Sequence, residues 1–584
     1  MSRRRSISKF VLLLPLFVTL ATASKQRQTP NVLFILADDL GYNELNFMNQ
    51  TRGIYSPNLD TLAYDGVILK NYYVQPICSP TRSALMTGRY PLSLGTQSNV
   101  IYWDTPWAPS LEHKFMPQYF QTTHETAMYG KWHLGMHKES VAPWNRGFDH
   151  HAGYLQGCGS GWTHVASCCH ASSSPTDDED YICPKDSKSG TKDYRGYDWF
   201  TNGIPDLTAN GTRSAELIRK HSLHFLETRN QTTSSPFFLY LPFQNIHGPY
   251  DVPLSYVELY TNMTDLTEEE KVMYGYISEM DDVIGDILET LHERNLYDNT
   301  LIIFSSDNGA PPGPRGVRDR NWPLRGHKTQ IWEGGVKVPG FISGGILPIA
   351  SRGTISHELY HVTDWLPTIQ HAVTGQAAAA AAAAAAPTMT DNNNNNNTNN
   401  NNNNNNTNNN NNTNNKMIDG LDVWLSMSEG TPSPRKEMVY NVNPLCDGGQ
   451  AGPPKAGLRK LINGTNWKIL TYCYLVAGRG GASDNVTTGP VVPSSFPPDG
   501  WPEHFHSTML FNLDNDPTEM NDVSLIHPLV VNILLKRLKM YAMRSVEPMQ
   551  WIAPYQGPDY ECAACPLRAG SHGNPNMPWT PWIS

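Results

Sequence analysis

Asn31-Val32-Leu33-Phe34-Ile35-Leu36-Ala37 is followed at once by the acidic pair Asp38-Asp39. A near-continuous apolar run of this length suits a strand buried on both faces of a sheet. Similar runs occupy residues 237–243 and 301–305, with a weaker case at 126–129. Between them lie helix-like segments. In residues 270–294 the apolar side chains Val272, Tyr276, Met280, Val283, Ile284, Ile287, Leu288 and Leu291 recur at helical spacing. Strands alternating with helices predict an α/β domain.

With 584 residues, the chain exceeds the size at which a single core keeps growing, so two domains are expected. Its 39% hydrophobic and 17% charged residues suit a globular protein rather than a disordered one. A net charge of -10 argues against a nucleic-acid partner. It also rules out a uniformly basic surface, so any sulfate or phosphate group must be held by a local cluster of cations.

The N-terminus has the layout of a secretory signal over residues 1–23. Arg3, Arg4, Arg5 and Lys9 precede an apolar stretch at 10–20 and the small-residue site Ala21-Thr22-Ala23. The stretch is too short to span a bilayer comfortably, and no other span is expected. Nine cysteines leave one over after pairing, which flags a free or reactive thiol in a secreted chain. Setting Cys78 aside leaves enough for four disulfide bonds, whose pairing the sequence does not give. N-glycosylation sequons at Asn49, Asn210, Asn230, Asn262, Asn463 and Asn485 agree with the secretory pathway.

Residues 24–376 read as the α/β domain. Residues 377–386 are all alanine, and 392–415 are asparagine broken only by threonine. Without apolar periodicity this 377–416 insertion is expected to be disordered, in a surface loop that tolerates it. Residues 417–436 end the domain and link it to a smaller α+β unit at 437–545. There Asn463-Gly464 marks a hairpin turn, residues 509–514 a strand and 529–543 a helix. A Pro- and Trp-rich tail occupies 546–584.

Ligands of parallel α/β sheets bind beyond the carboxyl ends of the strands, and several motifs fall there. Asp38 and Asp39 repel one another unless a cation lies between them. Asp307-Asn308-Gly309 follows the run at 301–304. Either cluster alone reads as a cap or a turn. Together they offer hard oxygen ligands suited to Ca²⁺ or Mg²⁺ rather than zinc. In Gly130-Lys131-Trp132-His133 an extended backbone would place Lys131 and His133 on one face, as an anion clamp and proton donor. His247 follows the strand at 237–243; a lone histidine there is ordinarily structural. Arg325-Gly326-His327-Lys328, leading into Trp332-Glu333-Gly334-Gly335, forms a basic loop whose glycines allow close backbone approach.

Cys78-Ser79-Pro80-Thr81-Arg82 precedes a predicted helix at 81–87 stopped by Gly88. The helix dipole and Arg82 would both favour an anion at Cys78. A disulfide cysteine is the plain alternative. A cysteine-phosphatase loop is disfavoured, because position 84 is Ala84 rather than arginine.

This pentapeptide with Thr87-Gly88-Arg89 resembles the signature of the type I, formylglycine-dependent sulfatase family. The resemblance runs from Asn31 to about Ser426 and includes the phrase Leu513-Asp514-Asn515-Asp516-Pro517-Thr518-Glu519-Met520-Asn521. Within the family the chain is most similar to the arylsulfatase B group, through residues 130–135, 321–326, 332–335 and 364–368.

The resemblance implies an alkaline phosphatase-like fold: a large mixed, mostly parallel sheet flanked by helices, with a smaller C-terminal α+β domain. It implies that a formylglycine-generating enzyme oxidises Cys78 to formylglycine (3-oxoalanine). Asp38, Asp39, Asp307 and Asn308 would then bind one Ca²⁺ together with that residue. One hydroxyl of the aldehyde hydrate would attack sulfur, and the other would later expel sulfate. Lys131 and Lys328 would grip sulfate oxygens, Arg82 and His133 would support the hydrate, and His247 would protonate the leaving alcohol. The implied substrate is an aryl sulfate or a sulfated carbohydrate, such as N-acetylgalactosamine 4-sulfate of a glycosaminoglycan. A lysosomal or an extracellular destination would both suit the leader.

Two rival readings stay open. One is a formylglycine-dependent phosphonate or phosphodiester hydrolase, distinguished by kinetics on paired sulfate and phosphate esters. The other is a catalytically dead glycan-binding homologue, which would leave Cys78 unmodified. The chain departs from the family in its Ala and Asn tracts and in the cysteine-rich stretch 158–183, a stretch expected to line the substrate mouth.

Overall fold

Strand β1 (Asn31–Ala37) lies at the centre of a ten-stranded sheet and is buried along its whole length. The computed structural model describes residues 28–48, 53–102, 105–167, 195–229, 234–312, 320–377, 418–443, 454–471, 508–546 and 548–549. The expected leader, the Asn tract and all but the first residue of the Ala tract, the Pro/Trp-rich tail after 549, and Asn49, Asn230 and Asn485 lie outside these residues. So do the cysteines other than Cys78 and Cys158.

Chain order gives the large sheet β1, β2 (Val67–Tyr73), β3 (Glu125–Lys131) and β4 (His150–Tyr154). A separate two-stranded ribbon, β5 (Val165–Ser167) with β6 (Arg195–Tyr197), follows. The large sheet resumes with β7 (Phe200–Thr201), β8 (Ile204–Pro205), β9 (Phe237–Pro242), β10 (Thr300–Ser306), β11 (Gly340–Ser343) and β12 (Thr354–His361). Its spatial order is β12-β2-β11-β10-β1-β9-β3-β4-β7-β8. The central strands β10, β1, β9, β3 and β4 run parallel, and antiparallel pairs lie to either side. The expected large mixed, mostly parallel sheet is therefore present.

The alternation along β1 explains why both faces are covered. Val32, Phe34 and Leu36 pack into a core with Tyr240, Met128 and Trp365. Leu33, Ile35 and Ala37 pack into a second core with Tyr276, Met280, Ile284 and Ile287 of the helix Glu268–Glu293. That helix has a capping box: Glu270 N donates to Thr267 Oγ1 at 3.2 Å and Thr267 N to the Glu270 carboxylate at 3.0 Å. It begins two residues before the predicted segment, because the acidic first turn suits the helix's positive end.

The C-terminal region forms a four-stranded antiparallel sheet, β13 (Glu437–Val442), β14 (Ala456–Ile462), β15 (Thr465–Thr471) and β16 (Thr508–Asn512). Asn463 and Gly464 both take positive φ, 51° and 83°, as the tight hairpin between β14 and β15 requires. The helix Pro528–Arg544 packs on this sheet through Leu534, Leu538 and Tyr541.

Asp281 ties the long helix to the start of the helix Pro57–Tyr64. It accepts from Leu59 N at 2.7 Å and from Asn58 N at 3.2 Å. Burial pushes its carboxyl up to about 6 from an ordinary 3.8. The fold therefore holds this proton more tightly than the unfolded chain does. The associated stability is fully present below about pH 4 and is lost as pH rises through about 6; two pKa units correspond to roughly 3 kcal/mol. Asp281→Asn cannot lose this proton. The melting temperature of the wild type, measured against that of the variant, should fall between pH 5 and pH 7.5.

Candidate active site

Three strand ends converge to build the site. Asp307 N donates to Ala37 O at 3.0 Å, Asp38 N to Asn245 O at 2.9 Å, and Ile246 N to Asp38 O at 2.7 Å. Beyond β1, β10 and β9 this interlocked backbone brings Asp38-Asp39, Asp307-Asn308 and His247 together. Asp39 takes a left-handed φ of 64°, a conformation aspartate tolerates better than most residues. Its backbone N donates to Asp307 Oδ1 at 3.2 Å.

Cys78 is the first residue of the helix Cys78–Thr87, so the helix starts three residues earlier than predicted. Its Sγ lies 3.7 Å from Asp38 Oδ1 and 3.6 Å from Lys131 Nζ. Arg82, one turn on and fully buried, reaches Asp307 Oδ2 through Nε at 3.1 Å and Nη2 at 2.8 Å. Its Nη1 donates to Lys131 O at 3.1 Å. Lys131 Nζ contacts Asp38 Oδ2 at 2.5 Å, and Lys328 Nζ contacts the two Asp39 oxygens at 2.7 and 2.8 Å. Three carboxylates thus face three cations in a buried cluster.

The electrostatics follow from this crowding. Burial opposes the Asp39 charge, but the Lys328 and Lys131 charges outweigh it and hold the carboxyl low. Burial and the neighbouring Asp38 push Asp307 up. Burial, with Asp307 and Asp38, pushes the Cys78 thiol far up, and a thiol kept protonated is a poor nucleophile. Burial and the Lys328 charge lower His247 to about 3, so its ring is neutral. Its Nδ1 sits 2.7 Å from the Gly248 carbonyl and must carry the hydrogen. The Nε2 lone pair then faces Asp39, 3.7 Å away.

Lys131 and His133 do not share a strand face as predicted. β3 ends at Lys131, and His133 takes a left-handed φ of 57°, so the two side chains approach from different backbone directions. Burial, then Lys131 and Arg82, keeps the His133 ring neutral. Its Nδ1 is buried with no hydrogen-bond partner. Gly157 is required beside it, because a Cβ there would lie 2.6 Å from the ring.

In the basic loop only Lys328 reaches the cluster. Arg325 stacks on Trp332 at 3.9 Å, and His327 pairs with Gln330. Gly157, directly before the cysteine-rich stretch, abuts His133, and within the stretch Gly159 O accepts from Gln244 Nε2 at 2.6 Å. Sequence reading missed Arg320, whose Nη2 donates to Asp39 O at 3.0 Å while Glu44 holds the guanidinium. The available signal was its place directly before Asn321-Trp322-Pro323.

The donor set fits a cation. Ligand atoms of Asp38, Asp39, Cys78 and His247 lie within 4.8 Å of one another. Asn308 donates through Nδ2 to Asp39 Oδ1 at 2.6 Å, yet its own Oδ1 is buried without a partner. An orphaned amide oxygen beside carboxylates is what a hard cation would satisfy.

Carboxylates paired with Arg82, Lys131 and Lys328 thus gather beyond the carboxyl ends of a parallel sheet, where ligands of such sheets bind. The sulfatase family model matches residues 30–375, and the chain belongs to the sulfatase family. Arylsulfatase J of Mus musculus is 32% identical over 535 residues, covering 88% of this chain and 76% of that protein. N-acetylgalactosamine-6-sulfatase of Homo sapiens is 29% identical over 371 residues, covering 59% of this chain and 62% of that protein. The crystal structure of Ps i-CgsB in complex with k-i-k-neocarrahexaose superposes with a TM-score of 0.63 at 22% identity, covering 89% and 94% of the two chains; at that identity it bears on the fold alone.

Titrating chelator-treated protein with Ca²⁺ or Mg²⁺ should raise its melting temperature. Asn308→Leu, which removes the orphaned oxygen, should abolish most of that rise.

Proposed function

We propose that this sulfatase uses formylglycine derived from Cys78, with a Ca²⁺ ion held by Asp38, Asp39, Asp307, Asn308 and residue 78, to hydrolyse sulfate esters of sugars. The observation that carries the reading is Cys78 at a helix N-terminus, within 4 Å of both Asp38 and Lys131. When bound, the ion would polarise sulfate oxygens and offset charge developing on the transferred group.

The chain's own side chains supply the rest. Lys131 and Lys328 are placed to pair with sulfate oxygens, as preorganised charges in a water-poor site. Arg82 fixes Asp307 and the Lys131 carbonyl, and so sets the floor beneath residue 78. His133, with its unpartnered buried Nδ1, hydrogen-bonds the modified residue. His247 Nε2 delivers a proton to the leaving alcohol once the anionic substrate raises its basicity. Lys131, His247 and Lys328 together form the sulfate-binding wall.

The substrate class is a sulfated carbohydrate, N-acetylgalactosamine 4-sulfate in the first instance. The arylsulfatase B-like phrases support the 4-sulfate, and a relative named N-acetylgalactosamine-6-sulfatase supports the sulfated amino sugar but not that position. A signal-like leader supports passage through the secretory pathway to a lysosomal or extracellular site, as do the exposed sequons at Asn210, Asn262 and Asn463. Among the described residues no helix is long and apolar enough to cross a membrane.

Kinetics on matched esters test the reading. An aryl sulfate should be cleaved at least about a hundredfold faster than the corresponding phosphate diester, and Lys328→Ala should cost about two to three orders of magnitude in kcat/KM. Galactosamine 4-sulfate should be preferred over the 6-sulfate. A preference for the phosphate diester would replace the proposal with the rival one.

A further inference from the structure

The loop that carries Lys328 is locked at several points. Lys328 N donates to Ala310 O at 3.0 Å, Thr329 N to Pro76 O at 2.6 Å, Gly334 N to Arg325 O at 2.7 Å, and Gly309 N to Gly335 O at 3.0 Å. The loop therefore bridges the segment before Cys78 and the segment after Asn308. Its approach to the latter is so close that a Cβ on Gly309 would lie 1.9 Å from Gly334 O.

The far side of the same loop meets the C-terminal sheet. Glu519, in the phrase after β16, accepts from Glu333 N at 2.6 Å through Oε2 and from the Arg325 guanidinium at 2.9 Å through its backbone oxygen. A single side chain and its carbonyl thus hold both ends of residues 325–333. Lys468 of β15 lies between two carboxylates, 2.9 Å from Glu333 and 2.8 Å from Glu519. Tyr440 of β13 and Tyr73 of β2 donate to the two Glu333 oxygens at 3.0 and 2.6 Å. Glu333, Lys468 and Glu519 are all buried.

We propose that Glu519 and Lys468 are positioning residues for Lys328, so that the C-terminal sheet sets the geometry of the sulfate-binding wall from outside the catalytic cluster. A buried lysine and two carboxylates are a costly way to fill a core if stability alone is served. Glu519 contacts the loop at the Glu333 backbone and the Arg325 side chain, and Lys468 at the Glu333 side chain, although Tyr440 of β13 also packs against Lys468 and Glu333. The proposal rests on Lys328 gripping sulfate. It gives a role to the 513–521 phrase, which lies far in sequence from every residue of the cluster. Glutamine at this position retains, in its amide oxygen, the acceptor that Glu333 N needs.

The test uses the full chain with Glu519→Ala, Glu519→Gln, Lys468→Met, Lys328→Ala and the Lys328→Ala/Glu519→Ala pair. Turnover of an aryl sulfate and competitive inhibition by inorganic sulfate are measured on protein whose melting curve shows it folded. Glu519→Ala and Lys468→Met should lose about 10- to 100-fold in kcat/KM, as a displacement near 1 Å would cause, with matching weakening of sulfate inhibition. Glu519→Gln should stay within about threefold of wild type, and the double variant should be no worse than Lys328→Ala, since coupled residues are not additive. Wild-type kinetics for Lys328→Ala would defeat the reading of the site itself. An impaired Lys328→Ala beside unimpaired Glu519→Ala and Lys468→Met would overturn the positioning proposal alone. Multiplying losses in the double variant would overturn it too, as would failure of both Glu519→Ala and Lys468→Met to fold.

Discussion

Three buried aspartates, Asp38, Asp39 and Asp307, held together at adjoining strand ends are the constraint on which the rest of this structure depends. Burying one unpaired carboxylate is prohibitive, and burying three side by side is more so. The chain offsets this with Arg82, Lys131 and Lys328, each brought from a different element. Arg82 comes from the helix that begins at Cys78, Lys131 from the last position of β3, and Lys328 from a loop anchored on Ala310. The same arrangement that makes the aspartates tolerable surrounds Cys78 with charge of both signs. Stability and chemistry here share one set of contacts.

The balance is incomplete in one respect. With three cations against three carboxylates, the Asn308 amide oxygen remains unpartnered. A divalent cation and a sulfate ester, which carries one negative charge, would together add a single positive charge to the cluster. Sulfatase chemistry needs such a preorganised site, in which charge passing from one oxygen to another meets fixed dipoles rather than water.

The central sheet was legible in the sequence because β1, β9 and β10 are buried on both faces and therefore read as unbroken apolar runs. The hairpin at Asn463-Gly464 was legible because few other residue pairs accept two positive φ values. The cluster residues were legible because each directly follows such a run or sits in a short motif. His133 was misplaced because nothing local signals that β3 ends at Lys131 or that residue 133 takes a left-handed φ. Arg320, Lys468 and Glu519 were not assigned a part in the site because their partners lie far away in sequence, and a buried ion pair leaves no periodic trace. Only the phrase containing Glu519 stood out, and its contacts required the fold.

The most direct test of the account is the mass of the peptide carrying Cys78, taken from protein purified from its own cells. The account predicts a residue in which the thiol has been replaced by an aldehyde oxygen, or the hydrate of that aldehyde. An intact thiol, or a disulfide at Cys78, would contradict the catalytic reading and leave a binding protein built on a sulfatase fold.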